Sequence, residues 1–323
     1  MRIVHALCAA ALAHSLACNP SVAAEAYPAK PIHMIVPTTA GSVPDVIARL
    51  LADHLGTELH QPVIVENRPG AGGTIGLNAV AKAHADGYTL GILSLPYVIA
   101  PMVVRHALYD TERDLTPVAV AAWNYALLCV RENSPFRSVD QLVAAARRQP
   151  RALRYSSQGI ATPGHLAMKL LESRAGIELE HVPYKGGPAA VNALVAGDVD
   201  VHVGGLAVLA GQIKAHVLRP LATLAPHRLA AYPDLPTMDE LGYTGVELRD
   251  FQGVVAPAGA PPEVISMIAS SIRAIVTMPG VRARLDALGM EPSAVATSGF
   301  ARLVHDETRR WHDVVQQAHI TVE

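Results

Sequence analysis

The sequence predicts an α/β fold in two lobes, each a mostly parallel sheet flanked by helices, and three observations carry that expectation. Half of the 323 residues are hydrophobic but only 4% are aromatic, so the core is expected to be built from Ala, Val, Leu and Ile, as buried parallel sheets are. Short β-branched runs alternate with stretches of helical spacing, which is the order of βαβ units. The length suits two domains of about 100 to 200 residues each.

Taken in order, residues 1–24 read as a secretory signal peptide. One charge at Arg2 precedes an apolar stretch over 3–17, interrupted by His5, His14 and Ser15, and Val22, Ala23 and Ala24 form a small-residue cleavage site. That stretch is too short to span a bilayer, and no later segment offers about 18 uninterrupted apolar residues. Cys18 follows Leu16 and Ala17, but Ser15 stands where a lipoprotein box has a large aliphatic residue, which disfavours a lipid anchor. Cleavage near Ala24 leaves Cys129 as the remaining cysteine, excluding an internal disulfide. Its apolar run over 126–130 marks it as a buried small hydrophobe. The mature chain keeps 25 basic and 28 acidic residues, a formal charge of −3, with no polybasic run. Nucleic acid and anionic membrane are therefore poor partners.

Residues 32–36 read as a strand, 37–44 as a loop, and Asp45 as the start of a helix in which Val46, Ile47, Leu50, Leu51 and Leu55 recur at helical spacing. Strand 63–65, a turn punctuated by Pro and Gly over 69–73, and helix 75–85 form the next unit. Strand 88–93 leads to a loop at Ser94, Leu95 and Pro96. Right-handed crossovers put these strands in one sheet with their loops along one edge. Residues 117–130 form a long extended run interrupted at Trp123 and Asn124, where the chain is expected to cross between lobes. Helix 139–148, strand 153–155, loop 156–164, helix to 175, strand 179–182, loop 183–188, helix to 196 and strand 199–203 then repeat the pattern. Turns at 218–223 and 232–236 precede a return crossing at 253–256. Pro261 and Pro262 open a helix with Val264, Ile265, Ile268, Ile272 and Ile275 on one stripe, and a last helix carries residues 300–318. The expected lobes are residues 25–124 plus 252–323, and residues 125–251.

Residues 63–76, VIVENRPGAGGTIG, have the strand, glycine turn and helix order of a dinucleotide loop. The spacing is Gly70-x-Gly72-x-x-x-Gly76 rather than G-x-G-x-x-G, and the next strand ends at Ser94 without an acid for a ribose. No nucleotide cofactor is expected. Fifteen histidines include no H-E-x-x-H, so no metal site is expected either. Ser94, Ser156 and Ser157 lack the G-x-S-x-G setting of a nucleophile elbow.

What remains is two sets of polar, glycine-rich loops at sheet edges: Thr38, Thr39, Ala40, Gly41 and Ser42, then Ser157, Gln158, Gly159, Ile160, Ala161 and Thr162. Hydroxyls and free N–H groups at helix starts bind small anions, carboxylates among them. A cleft between lobes is where such a site belongs. His165 follows the second loop and either packs it or meets a ligand. Lys185 and Arg68 are the candidate cationic partners, each with a surface reading beside it.

YPAKPIHMIVP from Tyr27, VIVENRPGAGGTIG from Val63, ADGYTL from Ala85, HVPYKG from His181, DLPT from Asp234, VAPAGAP from Val255 and the helix over 307–311 run in order along nearly the whole mature chain. Together they resemble the Bug-type substrate-binding proteins of tripartite tricarboxylate transporters. The resemblance implies a periplasmic binding protein of the type II, Venus-flytrap kind, with two crossover strands, no enzymatic activity and no cofactor. It implies a monomer that closes on a small carboxylate (a di- or tricarboxylate, an amino acid or an aromatic acid) and presents it to membrane permease subunits. Carried onto this chain, the ligand loops supply Thr38, Thr39, Ala40, Gly41, Ser42 and Asp45 from one lobe and Ser157, Gly159, Ala161, Thr162 and His165 from the other. Ser94, Lys185, Gly186 and Gly204 lie nearby.

The chain departs from the family at two places. The usual P-F-P-A-G-G-x-x-D loop is Pro37-Thr38-Thr39-Ala40-Gly41-Ser42-Val43-Pro44-Asp45 here, and Val203-Gly204 stands where Phe-Asp is frequent. Both changes alter volume and polarity, so the expected ligand is a more polar or bulkier acid than a simple dicarboxylate. Two other readings remain open from sequence: a same-fold receptor serving a sensor, and a secreted enzyme, for which neither a ribose-binding acid nor a base beside a serine is evident.

Overall fold

The computed structural model describes residues 27–104, 106–318 and 320. The expected signal peptide over 1–24 and the Cys18 anchor question lie outside the described residues. The first half begins with β1 (Ile32–Val36), which pairs in parallel with β2 (Val63–Asn67) and β3 (Thr89–Leu93). Ile32, Met34, Ile35 and Val36 are all buried, as a strand covered on both faces requires. Helix α1 (Val43–Leu59) follows β1, and α2 (Thr74–Ala81), preceded by a 3-10 turn over Ala71–Gly73, follows β2. The first starts two residues earlier than the spacing predicts, with Pro44 in its first turn, and the second stops four residues sooner.

The residues expected to form a loop at 94–96 instead open α3 (Leu95–Val103), with Ser94 at its N-cap position. Pro96 fits there because the first turn needs no N–H donor at that place. After α4 (Thr111–Asp114) comes β4 (Leu115–Arg131), one continuous strand where an interruption at Trp123 and Asn124 is predicted. Its partner explains the difference. Trp123 pairs with Phe251 and Asn124 with Asp250 of the antiparallel strand β9 (Arg249–Pro257), so the polar side chain meets a polar side chain.

The second half holds α5 (Val139–Arg148), β5 (Arg154–Ser157), α6 (Pro163–Ala175), β6 (Glu180–Pro183), α7 (Gly187–Ala196) and β7 (Val201–Gly205). A short helix, α8 (Leu206–Lys214), is unanticipated, and the stretch expected to turn at 218–223 is a strand, β8 (Leu218–Thr223), antiparallel to β4. Pro220 fits because, among the described strands, β8 pairs with β4 alone and so lies at an edge. The chain ends with α9 (Pro262–Thr277), α10 (Pro279–Ala287), β10 (Glu291–Pro292) and α11 (Thr297–Gln317).

Strand order is β2-β1-β3-β9-β4-β7-β5-β6, with β8 and β10 also on β4. The two parallel sets, β2-β1-β3 and β7-β5-β6, are thus joined into one mixed sheet by the antiparallel strands β9 and β4. β4 pairs with β9 over Leu115 to Tyr125 and with β7 over Ala126 to Val130. One strand thus serves both halves, and the loops at the carboxyl ends of β1, β3, β5 and β7 converge beside it. An apolar cluster containing Leu77, Tyr155, Leu166, Phe251, Phe300 and Trp311 runs through both halves. Cys129 is buried, as its apolar run predicts.

Candidate ligand-binding cleft

The converging loops enclose a cavity of about 660 Å³. Thr38, Thr39, Ala40, Gly41 and Ser42 form one wall with Ser94 and Tyr97, while Thr162, Gly164, Gly186 and Gly204 form the facing wall. Asn124, Asp250 and Gln252 of the crossing strands make its floor. A second compartment of about 780 Å³ shares Thr38, Thr39, Tyr97, Gln158, Thr162 and Gly186 with the first. The Gly70 to Gly73 turn and Ala161 close that side, so the glycine turn after β2 lines a wall of the cleft.

The first wall is shaped by Asp45, which is buried and points back into its own loop. Its carboxylate accepts from the Gly41 amide at 2.8 Å and from Asn67 at 2.8 Å, and pairs with Arg49 at 3.0 Å. Burial works to raise its pKa, but the hydrogen bonds from Arg49, Gly41 and Asn67 outweigh it and hold the carboxyl below the usual range. Gly41 takes a φ of +79°, a backbone that favours glycine. Asp45 thus orders the loop instead of lining the cavity, and Thr38 and Ser42 are linked through their hydroxyls at 2.6 Å.

The second wall sorts its predicted residues in the same way. Thr162, Gly186 and Gly204 line the cavity and Ala161 the neighbouring compartment; Ser157, Gly159, His165 and Lys185 line neither. The Ser157 hydroxyl is 2.7 Å from His181 Nε2 and donates to the Gly159 carbonyl, and Gly159 forms the turn at φ +139°. His165 Nδ1 accepts from the Ala161 amide at 3.1 Å, and its ring stacks on His181 with centroids 4.0 Å apart. Burial, with His181 and Lys169 nearby, pushes its pKa down to about 3, which keeps the ring neutral and able to accept. His165 therefore packs the loop. Gly164 lets α6 approach β7, since a Cβ there would lie 2.8 Å from the Val203 carbonyl. Arg68 pairs with Glu66 at 2.7 Å outside the cavity walls.

Sequence reasoning misses the floor. Alternation along a strand puts Asp250 and Gln252 on one face and Phe251 on the other, and register sets Asn124 opposite Asp250. The available signal was the polar-apolar-polar order of Asp250, Phe251 and Gln252 entering the apolar run of the return strand. Tyr97, missed with its helix, is buried beside Asp250, and burial followed by that carboxylate raises its pKa.

Asp250 is half-buried and lines the cavity. Burial pushes its carboxyl from 3.8 up to about 6, against hydrogen bonds from Asn124, the Leu95 amide and the Phe251 amide that favour the anion. The folded chain thus holds the proton more tightly than the unfolded one, so this group's contribution is complete below about pH 4 and is lost as the pH rises through about 6. Asp250→Asn is expected to exceed the parent in stability at about pH 8 and to match it at about pH 4. Urea melts at the two pH values check this, and an equal difference at both contradicts it.

A sheet shared by two halves through crossing strands, with hydroxyl- and glycine-rich helix starts facing one another over a cleft, defines a two-lobed solute-binding protein. The chain belongs to the tripartite tricarboxylate transporter family receptors, matching that family over residues 47–320. It is 34% identical to the protein BugT of Bordetella pertussis over 92% of this chain and 91% of BugT. Among solved structures, R. palustris Rpa4515 with adipate superposes with a TM-score of 0.80 at 33% identity, covering 91% of this chain and 99% of that one. MatC of Rhodopseudomonas palustris with bound malate gives 0.76 at 28% identity, covering 90% and 100%. The family consists of solute-binding proteins, not enzymes, and its solved members include periplasmic binding proteins.

Proposed function

We propose that this protein captures a small carboxylate between its lobes in the periplasm, after removal of a signal peptide near Ala24, and presents it as a monomer to the permease subunits of a tripartite transporter. The observation that carries the reading is the cavity of about 660 Å³ with Thr38, Thr39 and Ser42 on one wall and Thr162, Gly164 and Gly186 on the other. Hydroxyls and helix-start N–H groups from both halves suit a carboxylate, and tighter contact with both walls would favour a closed state. Relatives solved with adipate and malate support the ligand class. The lobes of the proposal are residues 25–124 plus 252–323, and residues 125–251, a division supported by the change of β4 partners after Tyr125. The hydroxyls at Thr38, Thr39 and Ser42 favour a more polar acid than a simple dicarboxylate.

A thermal-shift screen of the mature protein against organic acids, amino acids, sugars and amines tests it. The expected result is an unfolding temperature that rises with the concentration of at least one carboxylate, corresponding to about 2.7 kcal/mol at a hundred times its dissociation constant. Stabilisation by sugars or amines with none by carboxylates would overturn the reading.

A further inference from the structure

The cleft floor is built for a hydrogen-bond donor. Among the described residues lining either compartment there is no Lys, Arg or His, and Asp250 is the one carboxylate. Its Oδ1 accepts from the Leu95 amide at 3.2 Å and its Oδ2 from Asn124 Nδ2 at 3.3 Å, both long bonds for an anion. A carboxylate only accepts, so this contact sets the Asn124 amide with Nδ2 towards Asp250. Asn124 Oδ1 and Gln252 Oε1 are left without partners although the residues are only 8% and 2% exposed. Buried acceptors are rarely left unpaired, because an orphan has lost its water without gaining a partner. Register puts Asn124, Asp250 and Gln252 on one sheet face, and all three residues line the cavity.

Resting on the carboxylate reading above, we propose that the ligand is an amino-substituted carboxylic acid, its carboxylate held by the hydroxyl and helix-start walls and its ammonium by Asp250, Asn124 Oδ1 and Gln252 Oε1. An ammonium carries three donors and no acceptor, matching three acceptors of which one is anionic. The second carboxylate of an unsubstituted diacid would meet Asp250 as a like charge in a low-dielectric site.

Calorimetric titration of the mature chain with matched pairs tests this: succinate and aspartate, glutarate and glutamate, adipate and 2-aminoadipate, with malate as a hydroxyl-only probe. The amino member of at least one pair is expected to bind about tenfold tighter or more than its unsubstituted partner. Asp250→Asn, which keeps the side-chain shape and an acceptor for Leu95, should bring that ratio to within about threefold, and Gln252→Leu should lower it in the same direction. Each ratio is taken within one protein, so a general loss of fold does not mimic the result. Equal binding within every pair, a preference that survives Asp250→Asn, or malate binding as tightly as aspartate would overturn the proposal while leaving the carboxylate reading standing. Binding of putrescine with none of the acids would overturn both.

Discussion

Glu307→Ala is expected to remove about 3–5 kcal/mol of stability, the cost of breaking a buried charge network by taking out one partner. Glu307 is 0% exposed and sits on α11 with its oxygens divided between two elements. Oε1 accepts from Arg249 at 2.8 Å, and Oε2 accepts from the Trp311 indole at 2.8 Å with Arg310 at 3.6 Å. Alanine leaves the Trp311 N–H unpaired in the core and strips Arg249 of its shorter carboxylate contact, the other being Glu247 at 3.7 Å. Arg249 Nε is already without a hydrogen-bond partner, with Glu247 still 3.7 Å away. Glu307→Gln keeps one carbonyl oxygen and is expected to cost about 1–3 kcal/mol. Urea unfolding decides both, and a loss below about 1 kcal/mol for Glu307→Ala would contradict this account. Arg249 immediately precedes Asp250 on β9, so the same network fixes the strand that carries the cleft floor.

Thr162→Trp is expected to weaken ligand binding by about a hundredfold or more while leaving the fold intact. Thr162 borders both compartments and faces Thr38 and Thr39 across the cleft, so an indole there occupies the space in which a ligand would touch both walls. The stability cost is small because Thr162 makes no side-chain cap bond to α6 and its backbone is extended at φ −73° and ψ 157°, which tryptophan accepts. The substitution removes the Thr162 hydroxyl bond to the Gly159 carbonyl at 2.7 Å, worth about 1 kcal/mol. Titration with the best acid from the thermal screen, set beside an unfolding curve of the variant alone, separates the two effects. Undiminished binding would move the site elsewhere.

The elements were legible where one pattern dominated. Helix Val139–Arg148 and strand Ile32–Val36 follow directly from apolar spacing and β-branched runs. Among the elements that were not legible, three helices and one strand escaped for definite reasons. Leu95–Val103 begins with a proline that reads as a loop, while Leu206–Lys214 and Pro279–Ala287 are too short for a clear apolar repeat. Leu218–Thr223 contains a proline acceptable only because β8 is an edge. Of the site, the helix-start loops at Thr38 to Ser42 and at Thr162 could be named because glycine and hydroxyl clusters mark where strands hand over to helices. Asp45, Ser157 and His165 share that chemistry but turn it inward, to the Gly41 amide, to His181 and to the Ala161 amide.

The sequence by itself determined the two-lobed α/β class, the family and the loops from which the cleft is made, because these follow from local spacing and from motifs in order along the chain. Tertiary structure alone decided the cleft floor. Asn124 and Asp250 are 126 residues apart and become neighbours only through the antiparallel register of β4 and β9. Long-range pairing leaves no local periodicity to read, and whether a polar side chain is spent within its own loop or left facing a cavity depends on what the rest of the fold brings up against it.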